Sequence, residues 1–586
     1  RVTDHSRLAV YGNINNLNDD RKPGENDNWS PSDLFGGLTQ QQLGGLDYNI
    51  DARSGKYKLS GNAQVKHADN TIVNNTNRTN FLANGDTYDR MVANNRNHNF
   101  TLSTDHQFYF EFKNANLNIK PRFNYQYYNN KSGYSSLTLN RSFTSFSKAQ
   151  LDSLYTPMIG RELIRTAINR NLRNGLSIGH SLEGSVSMES LIKFKHSPDH
   201  ITLYADASLR HATEDSFDRN RIDYYTNGQQ SNTDFRNRYF NNRPDHGYSM
   251  TGKVTYSYLV KRGLFFDFSY KYNRTTSNRY SSLYRLDQLA DWGINSEHEL
   301  GILPSMDAYN RVMDIHNSYD SRQTDNTHTL GAFLVWNKKT TKSEWWAQLV
   351  PNLSLLSRTM HYHSGNVDTT FTKRSILYNM YSTFIKWRST DHKYEFMFQY
   401  HVNGQAPDMN LFVNILNTTD PLNVTMGNTN LKPSYKHELI SHFLRIYPKK
   451  GLMWLIEAQY IPTVNAIAMG YTYDKATGQR TFRPDNVNGN WRGQLALGGA
   501  GPLTKNRKLD FKAMAGLRYE KSVDLIGLAG TSAANRSIVE SLNYIGDLQL
   551  NYRLGQSSIG FISKGNWAHV DGSREDFEAF NVSDFN

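Results

Sequence analysis

The feature that most constrains this chain is an alternation of apolar and polar residues with a period of two, sustained over long segments. The alternation runs through residues 57–66, 117–127, 266–272 and 394–402. A period of two belongs to a strand with one apolar face, and these segments exceed the five or six residues of an average globular strand. The sequence therefore predicts an all-β protein with unusually long strands.

The connections between these segments alternate in length along the chain. Very short polar turns are predicted at residues 53–55, 113–114, 261–263, 388–391 and 448–451. Long connections are predicted at residues 16–42, 66–97, 129–174, 212–247, 274–327, 403–434 and 521–542. In an antiparallel meander this pattern puts short turns at one end and long loops at the other, as in outer-membrane barrels with periplasmic turns and extracellular loops.

Composition excludes several classes of protein. No stretch approaches the roughly 18 apolar residues of a membrane-spanning helix, although aromatic residues reach 13%. With no cysteine there is no disulfide framework, thiolate nucleophile or cysteine-based metal site. The net charge of +12 is scattered, and the aromatic residues alternate on apolar strand faces, so nucleic-acid binding is disfavoured.

Strand length favours a membrane barrel over a soluble sheet. A tilted strand needs about 9–11 residues to cross the hydrocarbon, and the segments at 98–112, 115–127, 248–260, 264–273 and 345–357 reach that length. Unpaired backbone groups are not tolerated in lipid, so the sheet should close into a large antiparallel transmembrane β-barrel of about 20–22 strands with an apolar outer face. The candidates for its aromatic girdles are Phe108, Phe110, Phe112, Trp345, Trp346, Tyr378, Tyr381 and Trp387. A soluble sandwich array or propeller would have shorter strands and no alternation of turn lengths.

The whole chain, residues 1–586, is expected to be one barrel domain. No plug-like globular segment precedes the first strand, and residues 581–586 are polar without a final aromatic strand. We therefore expect a barrel truncated at both ends, whose wide lumen needs a plug or acts as a pore.

A family resemblance is carried by the stretch GNTNLKPSYKHEL at residues 427–439. Its Asn-x-Asn-Leu-Lys-Pro run resembles the element that precedes a barrel strand in TonB-dependent receptors, and Pro433 would end the loop by restraining its neighbour to extended geometry. Residues 16–38 and 471–491 resemble barrels of this type from Bacteroidota outer membranes. The resemblance implies a bacterial outer-membrane receptor that imports a ligand, with energy from the TonB system through a plug that this sequence does not contain.

The search for catalytic and metal sites gives weak candidates. His361 and His363 share one face of an extended segment and could bind a divalent ion, but a site needs further ligands. An acidic loop beside Trp29 lacks the spacing of a calcium loop; it contains Asp19, Asp20, Glu25 and Asp27. Ser177 and His180 fall on opposite strand faces, so we expect neither an enzyme nor a cofactor.

The first functional hypothesis is a receptor and transporter that binds a nutrient through loop aromatics and amides. The candidate ligand-binding residues are Trp29, Tyr224, Tyr225, Trp292 and Asn295. Alternatively, these residues simply fold the loops. The sequence leaves the ligand open among glycan, peptide, siderophore and cobalamin.

The second hypothesis is a non-transporting barrel that acts as a structural or assembly component of a multiprotein outer-membrane complex. Loops of this length suit surface lipoproteins and other outer-membrane proteins as partners. Lipid and lipopolysaccharide are expected around the barrel, and a short basic loop helix could contact lipopolysaccharide or a partner; its residues are Arg161, Arg165, Arg170 and Arg173.

Overall fold

A computed structural model describes residues 5–17, 37–80, 85–152, 161–528, 535–574 and 577–585. The described residues form one 24-stranded sheet and three short helices. The first nine strands are β1 (Ser6–Asn15), β2 (Leu38–Asp51), β3 (Tyr57–Asn80), β4 (Thr87–Glu111), β5 (Ala115–Leu139), β6 (Ala167–Lys193), β7 (His200–Thr226), β8 (Gln229–Lys261) and β9 (Leu264–Arg285). The next seven are β10 (Tyr319–Lys339), β11 (Ser343–Leu349), β12 (Pro351–Ser364), β13 (Val367–Ser389), β14 (Tyr394–Gln405), β15 (Asn423–Thr425) and β16 (Ser434–Tyr447). The last eight are β17 (Leu452–Val464), β18 (Ala466–Tyr473), β19 (Arg480–Val487), β20 (Asn490–Pro502), β21 (Leu509–Leu528), β22 (Asn535–Leu554), β23 (Ser557–Gly572) and β24 (Phe580–Phe585). The helices are α1 (Lys148–Asp152), α2 (Arg161–Thr166) and α3 (Met306–Asn310).

The wall of the sheet is an antiparallel meander in which consecutive strands pair. Three of the 24 strands, β15, β18 and β19, lie in connections on the extracellular side. Both β11 and β12 pair with β10 and β13, so they are two halves of one strand. Within the described ranges the wall therefore has 20 strands, which confirms the predicted class and size. Among the described residues, β1 pairs with β2 alone and β24 with β23 alone.

One row of cross-strand partners shows which face meets lipid. Nine of the ten residues in this row are apolar or aromatic, and most are exposed in the isolated chain, as expected for side chains that contact lipid. From β3 to β13 the row is Tyr57, Phe110, Leu117, Ser190, Leu203, Val254, Tyr270, Leu330, Leu353 and Tyr378.

A second row on the opposite face of the same strands is entirely polar. Its members alternate with the lipid-facing positions, so they line the lumen. They are Asn62, Asp105, Arg122, Ser185, Ser208, Ser249, Thr275, Asp325, Arg358 and Lys373. The period-two alternation thus separates an apolar outer surface from a hydrated interior.

Aromatic pairs lie near the ends of the lipid-facing band. The rings of Trp345 and Trp387 meet edge to face at 6.5 Å, and Tyr378 stacks on Tyr435 at 4.4 Å. Trp346 points to the opposite face, where Lys386 lies 5.9 Å from its ring. The structure therefore places the predicted girdle residue Trp346 in the lumen.

Two of the predicted long connections are instead extensions of the wall. β3 runs to Asn80 and β4 starts at Thr87, while β7 and β8 are separated by Asn227 and Gly228. The prediction of loops at 66–97 and 212–247 is wrong because polar residues predominate on both faces of these extensions, with only scattered apolar ones such as Phe217 and Tyr239. Above the membrane no lipid-facing stripe is needed, so the period-two signal disappears while the backbone pairing continues.

The prediction of a short basic helix in this loop is correct only for its first part. Helix α2 contains Arg165, but Arg170 and Arg173 belong to β6. Arg173 faces the lumen and pairs with Asp218 at 3.0 Å. No helix in the described ranges is long and apolar enough to cross a bilayer.

The connection at residues 286–318 packs against the outer face of the wall extension. Phe217, Tyr239 and Tyr284 are cross-strand partners whose face of the sheet continues into the lipid-facing surface, and Trp292 packs on them. The part of this loop around Trp292 therefore lies outside the barrel, whereas Asn317 near its end receives a hydrogen bond from Thr418 N at 3.1 Å.

Candidate ligand site

Two segments fold from the extracellular rim into the lumen. The first, here called the inner loop, comprises residues 406–433 between β14 and β16. It carries its own apolar cluster against the inner face of β12, formed by Met360, Met409, Phe412, Val413 and Leu431. Burial of these side chains fixes the loop inside the barrel.

Polar contacts anchor both the base and the tip of the inner loop. At the base, Arg358 Nη1 donates to the carbonyl oxygen of Pro407 at 2.6 Å. At the tip, Arg236 Nη1 donates to Thr418 O at 2.8 Å, and the buried guanidinium of Arg238 donates to Thr419 O. Because Arg236 lies on β8, the inner loop spans part of the lumen from one wall to another.

The second segment is the β18–β19 hairpin, residues 466–487, which here is called the crossing hairpin. Arg480 Nη2 donates to Asn80 Oδ1 at 3.0 Å and to Asp89 Oδ2 at 3.1 Å. Asn80 and Asp89 lie on β3 and β4, whereas the hairpin emerges between β17 and β20. These contacts between distant parts of the wall show that the sheet curls around a lumen.

Asp89 is the centre of a buried polar cluster. Arg78 Nη2 lies 2.6 Å from its carboxylate, and Thr138 Oγ1 donates to it at 2.8 Å. Asp89 lies near the start of the 25-residue strand β4, far beyond the segment that crosses the membrane. Burial alone would raise the pKa of Asp89, but the hydrogen bond from Asn80 and the charges of Arg78 and Arg480 together hold that pKa below its usual value.

The turn of the crossing hairpin touches β6. Asn169 Nδ2 donates to Thr477 O at 3.0 Å. Gly478 has a φ of 76°, and a Cβ there would lie 2.2 Å from Asn169 Nδ2. Glycine is required at this position by both the backbone conformation and the close approach.

Between the wall and these two segments lies a cavity of about 460 Å³, here called the polar chamber. Its volume falls within the range of small-molecule sites. Asn169 and Asn171 on β6 and Asn220 on β7 line one side, while Asn423 of the inner loop and Arg480 of the crossing hairpin line the other. The chamber can offer many hydrogen bonds and little apolar surface.

The structure does not bring together the four predicted ligand residues that lie in its described ranges. Tyr224 is the cross-strand partner of Asn169, beside the chamber, and burial together with the charge of Asp234 raises its pKa to about 12. Tyr225 is buried in a loop cluster with Leu163, and Trp292 is buried outside the barrel. Asn295 is exposed in the same outer loop as Trp292, and Trp29 lies outside the described residues.

The other sequence candidates do not assemble into a reactive centre. His361 donates or accepts a hydrogen bond with Thr370 at 2.8 Å. Among the residues that the structure describes, no three His, Asp or Glu side chains are placed to hold a metal ion. Ser177 contacts Ser216 at 2.8 Å, and His180 points to the other face of β6. The acidic loop with Asp19, Asp20, Glu25 and Asp27 lies outside the described ranges.

The residues that line the polar chamber are not among the ligand-binding residues predicted from the sequence. Asn169 and Asn171 recur at a spacing of two within the predicted loop at 129–174, and this spacing is the one signal in the sequence that they share a strand face. The pairing of Arg480 with Asp89 leaves no local signal, because their positions are 391 residues apart.

Comparison with known proteins agrees with the barrel. Residues 382–569 match the model of the outer membrane protein beta-barrel family. No curated protein matches the sequence.

Solved structures of similar fold are outer-membrane receptors and transporters. A mutant of the ferric enterobactin receptor of Pseudomonas aeruginosa is 9% identical, with a TM-score of 0.39 over 96% of this chain and 74% of that one. The alcaligin outer-membrane receptor of Bordetella pertussis is 7% identical, with a TM-score of 0.38 over 99% and 75%. The outer-membrane transporter YddB of Escherichia coli is 10% identical, with a TM-score of 0.37 over 95% and 72%.

The strand architecture and the family match define the class: this chain is a large transmembrane β-barrel of the bacterial outer membrane. More particularly, residues 382–569 of this barrel match the outer membrane protein beta-barrel family.

Proposed function

We propose that this chain is an outer-membrane receptor that captures a nutrient ligand in the polar chamber and passes it inward through the lumen. The observation that carries the proposal is the chamber itself, which is enclosed between the wall and two segments that enter the lumen from the extracellular rim. The mechanism is binding and gating without covalent chemistry, and the TonB system supplies the energy through a plug.

The segments that form the chamber also narrow the lumen, so a ligand must displace one of them to pass. The far end of the crossing hairpin is the better candidate, because its described contacts with β3, β4 and β6 are polar and exchangeable with those of a ligand, while pairing with β15 and β21 keeps the rest of the hairpin in place. The inner loop is held by an apolar cluster that a polar ligand cannot replace.

Selective uptake from a complex medium tests this proposal even though the ligand is unidentified. Cells with and without the chain are grown in the same medium, and the depletion of small molecules is followed by mass spectrometry. We expect one class of compound to remain in the medium when the chain or TonB is absent. Unchanged depletion of every compound would contradict the receptor.

A disulfide lock sharpens the test, because the chain has no cysteine of its own. Asn169→Cys combined with Thr477→Cys joins the crossing hairpin to β6, and the oxidised protein should take up less ligand than the same double variant in its reduced form, which also lacks the Asn169 carboxamide. Val65→Cys combined with Leu102→Cys is the matched control, since this cross-strand pair lies on the lipid-facing side.

The second candidate function, an assembly component, is favoured by one observation on the outer loop at residues 286–318. This loop exposes several large aliphatic side chains outside the barrel, a feature of protein-interaction surfaces. They are Ile294, Ile302, Met306, Met313 and Ile315.

Copurification from the outer membrane with mass spectrometry of associated chains tests the second candidate. A stoichiometric complex with several other proteins that is lost with Ile302→Lys and Met306→Lys would favour the assembly role. Purification of the chain alone, with uptake intact in the same variants, would exclude it.

A further inference from the structure

Two histidines on neighbouring strands converge on the outer face of the wall. His67 on β3 and His98 on β4 bring their Nε2 atoms to 3.3 Å, and their rings meet edge to face with centroids 4.6 Å apart. Both residues share the face of Val65 and Leu102, which alternates with the lumen-facing positions. Both are half-buried, so part of each side chain is open to a solute.

This histidine pair lies at the extracellular edge of the lipid-facing band. Towards the periplasm, the same face continues with the apolar residues Val65, Phe100 and Leu102. Towards the extracellular side, it continues with the ion pair of Asp69 and Arg96 at 2.6 Å, in which the Arg96 side chain is 64% exposed. An ion in the medium can therefore reach the imidazoles without entering hydrocarbon.

The distance between the two nitrogens fits a single tetrahedral metal ion. A bond from zinc to an imidazole nitrogen is about 2.0–2.1 Å long, and two such bonds whose nitrogens lie 3.3 Å apart enclose an angle of about 107°. The tetrahedral angle is about 109°, so little movement of either ring is needed. A neutral imidazole can carry its proton on Nδ1, which leaves the Nε2 atom of both rings free to bind the ion.

The donor atoms of the pair select the kind of ion. Imidazole suits Zn²⁺, Cu²⁺ and Ni²⁺, whereas Mg²⁺ and Ca²⁺ prefer oxygen ligands. The carboxylate of Asp69, the cross-strand partner of His98, already accepts two hydrogen bonds from Arg96 at 2.6 and 3.1 Å. The protein ligands are therefore two nitrogens, and water fills the remaining positions around the ion.

Another cross-strand pair of histidines lacks this convergence. His211 on β7 and His246 on β8 lie directly opposite each other on the outer face. The Nε2 atom of His246, however, is hydrogen-bonded to Nδ2 of Asn278 at 2.9 Å. This pair therefore supplies a matched comparison, with the same residue types on the same face but one ring engaged elsewhere.

From this geometry we infer that His67 and His98 form a binding site for a divalent transition-metal ion such as Zn²⁺ or Cu²⁺ at the extracellular edge of the membrane. The bound ion joins β3 to β4. Since the site lies outside the lumen, the inference is independent of the proposed receptor function, and its failure would leave that function standing.

The test uses the whole untagged chain in nanodiscs of phosphatidylcholine, which contain no lipopolysaccharide phosphates to bind cations. Calorimetry with Zn²⁺ should show saturable binding that an excess of Mg²⁺ does not displace. His67→Gln and His98→Gln should each weaken this binding at least about tenfold, because loss of even an outer-shell partner of a metal ligand costs about 10–100-fold. His246→Gln is the matched control and should leave the affinity unchanged.

Cu²⁺ provides a second readout, because pulsed electron paramagnetic resonance counts the imidazoles that bind it. The wild type should show two at this site, and His67→Gln and His98→Gln should show at most one. Zn²⁺ should also raise the melting temperature of the wild type and of His246→Gln but of neither site variant, because the ion binds the folded chain. The inference is overturned if Zn²⁺ does not bind, if Mg²⁺ displaces it, if the wild type shows one imidazole, or if His246→Gln loses as much affinity as the site variants.

Discussion

The two segments that enter the lumen are held there by different forces. The inner loop buries Met409 and Phe412, each 1% exposed, against the wall, and it makes polar contacts with the wall at its base and tip and with the crossing hairpin through β15. The crossing hairpin reaches its distant wall through Arg480 and the carbonyl of Thr477. Apolar burial is indifferent to pH and to polar ligands, whereas paired charges respond to both. The inner loop and the crossing hairpin are also joined by the parallel pairing of β15 with β19, so the difference lies in how each segment is attached to the wall.

The largest effect is expected when the core of the inner loop is emptied. Phe412→Ala should cost about 3–5 kcal/mol of local stability, because a fully buried aromatic is replaced by a cavity. The loop should leave the lumen, so ion conductance in planar bilayers should rise and protease should cut within residues 406–433. The control is Leu416→Ala in the same loop, since Leu416 is 52% exposed. Unchanged conductance with Phe412→Ala would mean that the inner loop does not narrow the pore.

Removal of the charged anchor of the crossing hairpin should have a smaller effect. Arg480→Ala should cost about 2 kcal/mol, the range for hydrogen bonds to charged groups, because Asp89 retains Arg78 as a partner. Hydrogen exchange should accelerate at the turn of the crossing hairpin, residues 474–480, and stay unchanged in residues 406–415 of the inner loop. Arg483→Ala, an exposed arginine on the same hairpin, is the control. Equal acceleration in both segments would show that they move as one unit.

There is a physical reason why the membrane-crossing strands can be predicted from the sequence and the extensions above the membrane cannot. Where the wall crosses lipid, each strand must present an apolar residue at every second position. The strands at residues 117–127 and 394–402 can therefore be predicted from the alternation in their sequence. Ser434 begins β16 directly after the Leu-Lys-Pro element, as the resemblance implied. Above the membrane no apolar face is required. Strands β3, β4, β7 and β8 continue there through sequence that lacks the alternation and therefore resembles a loop.

The chamber is hidden from sequence reasoning for a related reason. It is built from contacts between β3–β7 and connections that follow hundreds of residues later, and nothing in the local pattern of Asn169 or Arg480 specifies the partner. Aromatic residues in long connections are reasonable candidates for a ligand site, but Tyr225 and Trp292 are buried in the cores of those connections. Tyr224 alone of the described candidates lies beside the chamber.

Acidification should free the turn of the crossing hairpin from β3 and β4 and leave its pairing with the inner loop in place. The pKa of Asp89 is lowered in the folded protein, so its contribution is fully present above the unfolded value of ~3.9 and is lost as pH falls through the lower folded value. Pepsin digestion in steps from ~pH 5 to ~pH 2 should reveal cleavage in residues 466–487 only at the acidic end. Asp89→Asn should make that cleavage independent of pH. Cleavage of the wild-type hairpin that begins near neutrality would contradict the role of Asp89.

The smallest effect is expected at the turn of the crossing hairpin, where Gly478→Ala separates backbone strain from crowding. A left-handed residue with a Cβ costs about 1–2 kcal/mol, and the added carbon would also push Asn169 away from Thr477. Gly55→Ala is the matched control, because Gly55 has a φ of 70° with no atom within 4 Å of its Cβ position. Both variants should lower the melting temperature slightly, but Gly478→Ala alone should accelerate hydrogen exchange at residues 474–480. Equal exchange in the two variants would mean that the contact between Asn169 and Thr477 does not hold the hairpin.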